Sequence, residues 1–380
     1  MTITSEGAVL VVGAGTSVQF GLSLGGDMIT SIAGAIESEL STIRLLTEDR
    51  FGVFSSILSD AVNRSEGFKR LPIHGTVGQP FWDTEKSRFE GKAINEELNK
   101  LRELQQLLTN QTSETIDDFI VENPSYAQLS KQCIAAQFVQ SCCEIDRNVS
   151  ARSFEARKTV DGGRNWVHLL INIVRQGIRA GEVSTENKVK IVTFNYDMVL
   201  EYVLEQQFSN TERRSAHWSD YIEIVHVHGQ CGSLSELQGH PAKICNEWAA
   251  GIHVVNEQDV PEPVLESRAR ARELVRSATE LYFCGFAFSG PNCRLLNLHQ
   301  PLAEVEERTI SFCNYDGNVG VTKIVSSYET EVAVPELHED GRTTVFRSTT
   351  TYIEEAAGTP DKPLGVSDWL KLGYLGELPA

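Results

Sequence analysis

No two of the eight cysteines, Cys133, Cys142, Cys143, Cys231, Cys245, Cys284, Cys293 and Cys313, form a C-x-x-C pair. The paired ligands of a structural zinc module are therefore missing, and the expectation is a protein without metal. Positive charge is also scarce, with 34 Lys and Arg against 52 Asp and Glu and a formal net charge of −18. Without a dense basic run, such a chain repels phosphate backbones and anionic lipid, so nucleic acid and membrane surfaces are excluded as direct partners. No apolar stretch approaches the roughly 18 residues of a membrane span, and the opening Met-Thr-Ile-Thr-Ser-Glu-Gly lacks the basic and apolar regions of a signal peptide. The expected location is cytoplasmic. Repeats, low-complexity tracts and a P-loop are absent as well.

What remains is 380 residues, 41% apolar and 23% charged, enough for one large domain or two modest ones. Ala8 to Val12 is a continuous apolar run rich in β-branched residues and is cut off by Gly13-Ala14-Gly15. That pattern predicts a strand buried on both faces of a parallel sheet. Val189 to Phe194, Ile222 to Val227, Glu280 to Cys284 and Thr309 to Cys313 repeat the design, with helical patterns such as Val264 to Thr279 between them. The expected fold is α/β, a Rossmann-like doubly wound parallel sheet with a large helical insertion and a C-terminal appendage. The sheet domain is placed at residues 1–30 and 185–325, the insertion at 31–184 and the appendage at 326–380. Leu98, Leu101, Leu104 and Leu108 mark one helix of the insertion, and Trp166, Leu169, Leu170 and Ile173 another. Leu71 to Gly91, punctuated by Pro72, Gly75, Gly78 and Pro80, reads as a long loop able to form part of a lid.

Ligands of open α/β sheets bind at the carboxyl ends of the strands. Those ends carry Gly13-Ala14-Gly15-Thr16-Ser17, Asn195-Tyr196-Asp197, His228-Gly229, Gly285 to Ser289 and Asn314-Tyr315-Asp316. Glycine lets backbone approach a phosphate, and Asn or Ser can hold ribose hydroxyls. The first loop alone departs from G-x-G-x-x-G, since Val18 stands where the third glycine belongs, and a tight turn without a ligand explains it equally well. Asn195 could equally cap the helix after its strand. His226 and His228 share one face of an extended strand, so a metal pair with Cys231 is conceivable, although no further ligand lies nearby; His226 otherwise reads as core or as support for the site. Asp117-Asp118 reads as cap and surface, and Cys142-Cys143 as two small buried residues.

Together these segments carry a resemblance. Gly13 to Ser17 followed by Gly21-Leu22-Ser23 resembles the sirtuin signature G-A-G-x-S-x-x-x-G-[IL]-[PS]. Thr193-Phe194-Asn195-Tyr196-Asp197 is similar to the sirtuin T-Q-N-x-D block, and His228-Gly229 to its catalytic H-G. Gly285 to Ser289 falls where sirtuins have a glycine-serine loop, and Asn314 where they place an adenosine-ribose asparagine. The four-cysteine zinc module of deacylating sirtuins is missing, and Leu24-Gly25-Gly26-Asp27 replaces their aspartate-phenylalanine-arginine run. The sequence instead resembles the bacterial sirtuin-like anti-phage effectors that hydrolyse NAD, both in Tyr196 and in the Thr115 to Phe119 helix start.

The resemblance implies NAD as substrate. It implies that Gly13, Ala14, Gly15, Thr16 and Ser17 hold the diphosphate, and that Asn195 orients the nicotinamide ribose and a water. His228 would accept a proton as neutral imidazole. Asp197 would bond the loop or the ribose, and Gly285, Ser289 and Asn314 would take the adenosine half. It further implies a homo-oligomer, restrained until infection by a separately encoded sensor such as a HerA-type ATPase or an Argonaute. Two other readings stay open: a sensor that binds NAD or an ADP-ribose-type signal without turnover, and a protein deacylase or ADP-ribosyltransferase.

Overall fold

The computed structural model describes residues 3–22, 25–45, 99–113, 115–150, 166–209, 217–232, 241–257, 259–298, 307–314, 319–328, 330–337 and 344–357. The loop expected at 71–91 lies outside the described residues, as do Tyr315, Asp316 and 358–380. By compactness the chain divides into two units, one of residues 1–22, 145–230 and 255–380, the other of residues 23–144 and 231–254. The first unit thus takes in residues 166–180, expected in the insertion, while the second also draws on residues 231–254.

The first unit is α/β and Rossmann-like. Strand β1 (Ala8–Val12) is buried along its whole length, and each of its Val and Leu side chains contributes about 1.5–3 kcal/mol through burial. It pairs in parallel with β2 (Val189–Thr193) on one side and β4 (Glu280–Cys284) on the other. Strand β3 (Ile222–His226) extends the sheet beyond β2, and β5 (Glu307–Asn314) beyond β4, all in parallel. Val9, Val11, Val192, Phe283, Ile310 and Phe312 belong to one apolar core cluster. The order departs from chain sequence on either side of β1, which puts the topological switch between β1 and β4.

Of residues 326–380, placed in the expected appendage, 330–337 and 344–357 are strands of the same sheet. Strands β6 (Thr330–Leu337) and β7 (Thr344–Ala357) pair antiparallel, and β7 adds in parallel to β5, giving the order β3-β2-β1-β4-β5-β7-β6. Pro335 lies on β6, whose partner among the described residues is β7. An edge strand tolerates proline because one side of it needs no ladder donor.

Among the described residues five α-helices accompany the strands: α5 (Trp166–Ala180), α6 (Val199–Leu204), α8 (Glu262–Ser277), α9 (Gly290–Leu295) and α10 (Val319–Ser326). On α8 the buried positions Arg268, Ala271, Leu274 and Val275 recur at helical spacing. Buried Arg308 at the start of β5 closes the end of α8, donating from Nε to the Ala278 carbonyl and from Nη2 to that of Arg276, both at 2.8 Å. A cation there meets the negative end of the helix dipole. Burial pulls its guanidinium down to about 9, which leaves it charged at neutral pH.

The second unit is helical: α1 (Gly25–Leu45), α2 (residues 99–110), α3 (Ile116–Glu122), the first part of α4 (Ala127–Ser150) and α7 (Pro241–Ala250). Leu101, Leu104 and Leu108 are buried at the expected spacing. Thr115 caps α3, accepting from the Asp118 amide at 3.2 Å and donating to the Asp118 carboxylate at 2.8 Å. Among the described residues no helix is long and apolar enough to cross a membrane.

Candidate functional site

The loops after β1 and β4 meet at the switch point with almost no space between them. Gly13 donates to the Cys284 carbonyl at 3.0 Å and Gly15 to the Gly285 carbonyl at 3.1 Å. Gly285 has φ +56°, and a Cβ there would lie 2.6 Å from the Thr16 amide nitrogen, so both conformation and contact require glycine. The amides of Thr16 and Ser17 turn back to the carbonyls of Gly13 and Ala14. The backbone donors of Gly13, Gly15, Thr16 and Ser17 are thus committed within the protein, and the loop presents its hydroxyls instead.

Those hydroxyls organise the site. Thr16 Oγ1 donates to the Gly13 carbonyl at 2.8 Å, and Ser17 Oγ to Asp197 Oδ2 at 2.9 Å. Each hydroxyl has spent its one hydrogen and can only accept from Asn195. The carboxamide therefore turns its NH2 toward them, at 3.1 Å from Thr16 and 2.9 Å from Ser17. This orientation leaves Asn195 Oδ1 buried, with no hydrogen-bond donor among the described residues. Asp197, not Asn195, serves the next helix, accepting from the Val199 amide at 3.1 Å. The indole of Trp166 fixes the loop from behind, donating to the Thr16 carbonyl at 2.9 Å.

Around these groups lies a cavity of about 10 Å³, lined among others by Ser17, Trp166, Asn195, Asp197, Glu201 and His226. That is about the room one water needs. His226, the last residue of β3, faces Glu201 Oε1 with Nε2 at 2.5 Å and the Asn195 carbonyl with Nδ1 at 3.3 Å. Both ring nitrogens are thereby committed, which removes His226 from any metal pair with His228. Among the described residues no three His, Cys, Asp or Glu side chains group as a metal site. Burial opposes the His226 charge, but the Glu201 hydrogen bond and charge, the Asn195 carbonyl and Asp197 outweigh it and raise the imidazole above its ordinary value. Burial pushes the Asp197 carboxyl up to about 6, against the pull of its bonds from Ser17 and Val199.

The remaining expected residues, His228, Ser289 and Asn314, do not line this cavity. His228 is buried, its ring 5.2 Å from that of Phe194 and 5.4 Å from that of Tyr196. Ser289 is the N-cap of α9 and makes no side-chain cap bond. Just before it, Phe288 holds φ +52° with its ring buried against Phe283 and Phe286; a left-handed conformation in such a residue is strained and held by packing. Asn314 ends β5. Sequence reasoning missed Glu201 and the role of Trp166. Glu201 lies in the first turn of the helix that follows the Asn195-Tyr196-Asp197 turn, which is the signal that could have drawn attention to it; Trp166 read only as part of an apolar stripe. Compared with known proteins, the chain matches no family model and no curated sequence.

Proposed function

We propose that the protein is an NAD hydrolase that cleaves NAD to nicotinamide and ADP-ribose. The observation that carries this reading is Asn195: a buried carboxamide with its NH2 end fixed by two hydroxyls, and its carbonyl end meeting no donor among the described residues. A fixed acceptor of this kind suits a ribose hydroxyl or a water and adds nothing to a simple helix cap. The cavity beside it has room for one water and none for a nucleotide; in this reading it is where the attacking water is held.

Breaking the bond between ribose and nicotinamide develops positive charge on the ribose, and nicotinamide leaves as a neutral base. The protein needs to orient the ribose, hold one water and remove its proton. Asn195 supplies the first two functions and His228 the third. With most amides of the Gly13 to Ser17 loop committed internally, the diphosphate relies on the loop's close approach and on side chains. Gly285, Ser289 and Asn314 take the adenosine half.

Resemblance to the anti-phage effectors supports a role in defence by NAD depletion. An unrestrained NAD hydrolase would harm its own cell, which supports control through a homo-oligomer and a separately encoded sensor, a HerA-type ATPase or an Argonaute. The test is to incubate purified protein with NAD and follow free nicotinamide. Release without any acyl-peptide supports the hydrolase, and near-normal release by His228→Ala would remove the base assignment. Binding without turnover would favour the sensor reading instead.

A further inference from the structure

His226 lies between two groups that accept hydrogen bonds, the Asn195 carbonyl at Nδ1 and a Glu201 carboxylate oxygen at Nε2. A backbone carbonyl can only accept, and so can an ionised carboxylate. A neutral imidazole carries one N–H and would leave one contact with two lone pairs facing each other. Two ring protons satisfy both contacts. Imidazole is ordinarily a stronger base than a carboxylate, so the shared proton resides on the ring. Among the described residues the other titratable group facing the ring is Asp197, in the turn between β2 and α6; the remaining apolar and hydroxyl side chains of the cavity lining carry no ionisable group in the physiological range.

We infer that His226, held as an imidazolium by Glu201, is a positioning residue that clamps the backbone of Asn195 by donating from Nδ1 to its carbonyl. Asn195 is then fixed at both ends, its carboxamide by Thr16 and Ser17 and its backbone by His226. The pair is neutral as a whole and already holds both its protons, so it orients the site and does not act as the base. Glu201 Oε2 is buried without a donor among the described residues, so its charge depends on the ring. The raised basicity of the imidazole agrees with this arrangement.

The inference rests on the proposed hydrolase only for its kinetic arm. In the full-length protein, nitrogen NMR of the His226 ring, assigned by its loss in His226→Asn, should show both nitrogens protonated at pH 7, with titration above the ordinary histidine value. A singly protonated ring at pH 7 would overturn the inference. This measurement stands even if the wild type releases no nicotinamide, a result that would sink the hydrolase reading alone. In the kinetic arm, Glu201→Leu should lower kcat at least tenfold with KM changed less than threefold. Glu201→Gln can donate its amide to Nε2 and keep the Nδ1 proton on neutral histidine. It should therefore restore kcat at pH 7 to within about threefold and abolish the alkaline limb of the wild-type profile. An alkaline limb retained unchanged in Glu201→Gln would contradict the clamp.

Discussion

At the scale of single residues, the site is held by groups whose hydrogen-bonding capacity is nearly exhausted. Asp197 has the clearest consequence for stability. Its carboxyl is raised from 3.8 to about 6 by burial, so between those values the folded state binds more protons than the unfolded one. Stability then falls as pH rises through that window, by about 3 kcal/mol in all. His226 acts in the same sense: its contribution is complete below the unfolded histidine value, about 6.5, and is lost as pH rises through the raised folded value. Denaturant titrations at pH 4, 5, 6 and 7 should show Asp197→Asn losing less stability across this range than the wild type. Parallel curves would contradict the burial of that charge. Gly285 and Gly21 provide a paired test, since both have positive φ but only Gly285 would place a Cβ against backbone. Gly285→Ala should cost more than the roughly 1–2 kcal/mol of left-handed strain expected for Gly21→Ala. Equal losses would show that the two loops are less tightly joined. Of this hydrogen-bonded cluster, Thr16, Ser17, Asn195 and Asp197 were legible in the sequence because their types and order form a pattern. Glu201 and Trp166 were not, because a glutamate on a helix and a tryptophan in an apolar stripe gain their roles only from long-range contacts.

At the scale of elements, β1 to β5 were legible because each is a short apolar run ending in a small or polar residue, the mark of strands covered on both faces. The hairpin of β6 and β7 was hidden by Pro335 and by a threonine-rich strand with weak alternation. A proline excluded from a central strand is acceptable at the edge. Arg308 shows how one element depends on another, since its guanidinium terminates α8 from the start of β5. Arg308→Leu should leave the Ala278 and Arg276 carbonyls without this donor and lower stability by about 1–3 kcal/mol, read as a shifted urea midpoint with unchanged slope. Arg308→Lys should recover only part of the loss, because an ammonium cannot reproduce the fork. Full recovery by lysine would reduce the role of Arg308 to charge alone.

At the scale of the whole molecule, the Rossmann-like sheet brings the segments after β1 and β2 and the end of β3 together around Asn195, and with a net charge of −18 this supports the proposed small-molecule enzyme over a nucleic-acid binder. The central proposal is that the protein cleaves NAD, with Asn195 orienting the ribose and the water through its fixed carboxamide. The most direct measurement is nicotinamide released from NAD by the purified wild type and by Asn195→Ala at equal concentration, with melting temperatures taken on the same samples. The account predicts release by the wild type and a fall of at least a hundredfold in Asn195→Ala, at a melting temperature within a few degrees. Release by Asn195→Ala at the wild-type rate would contradict it.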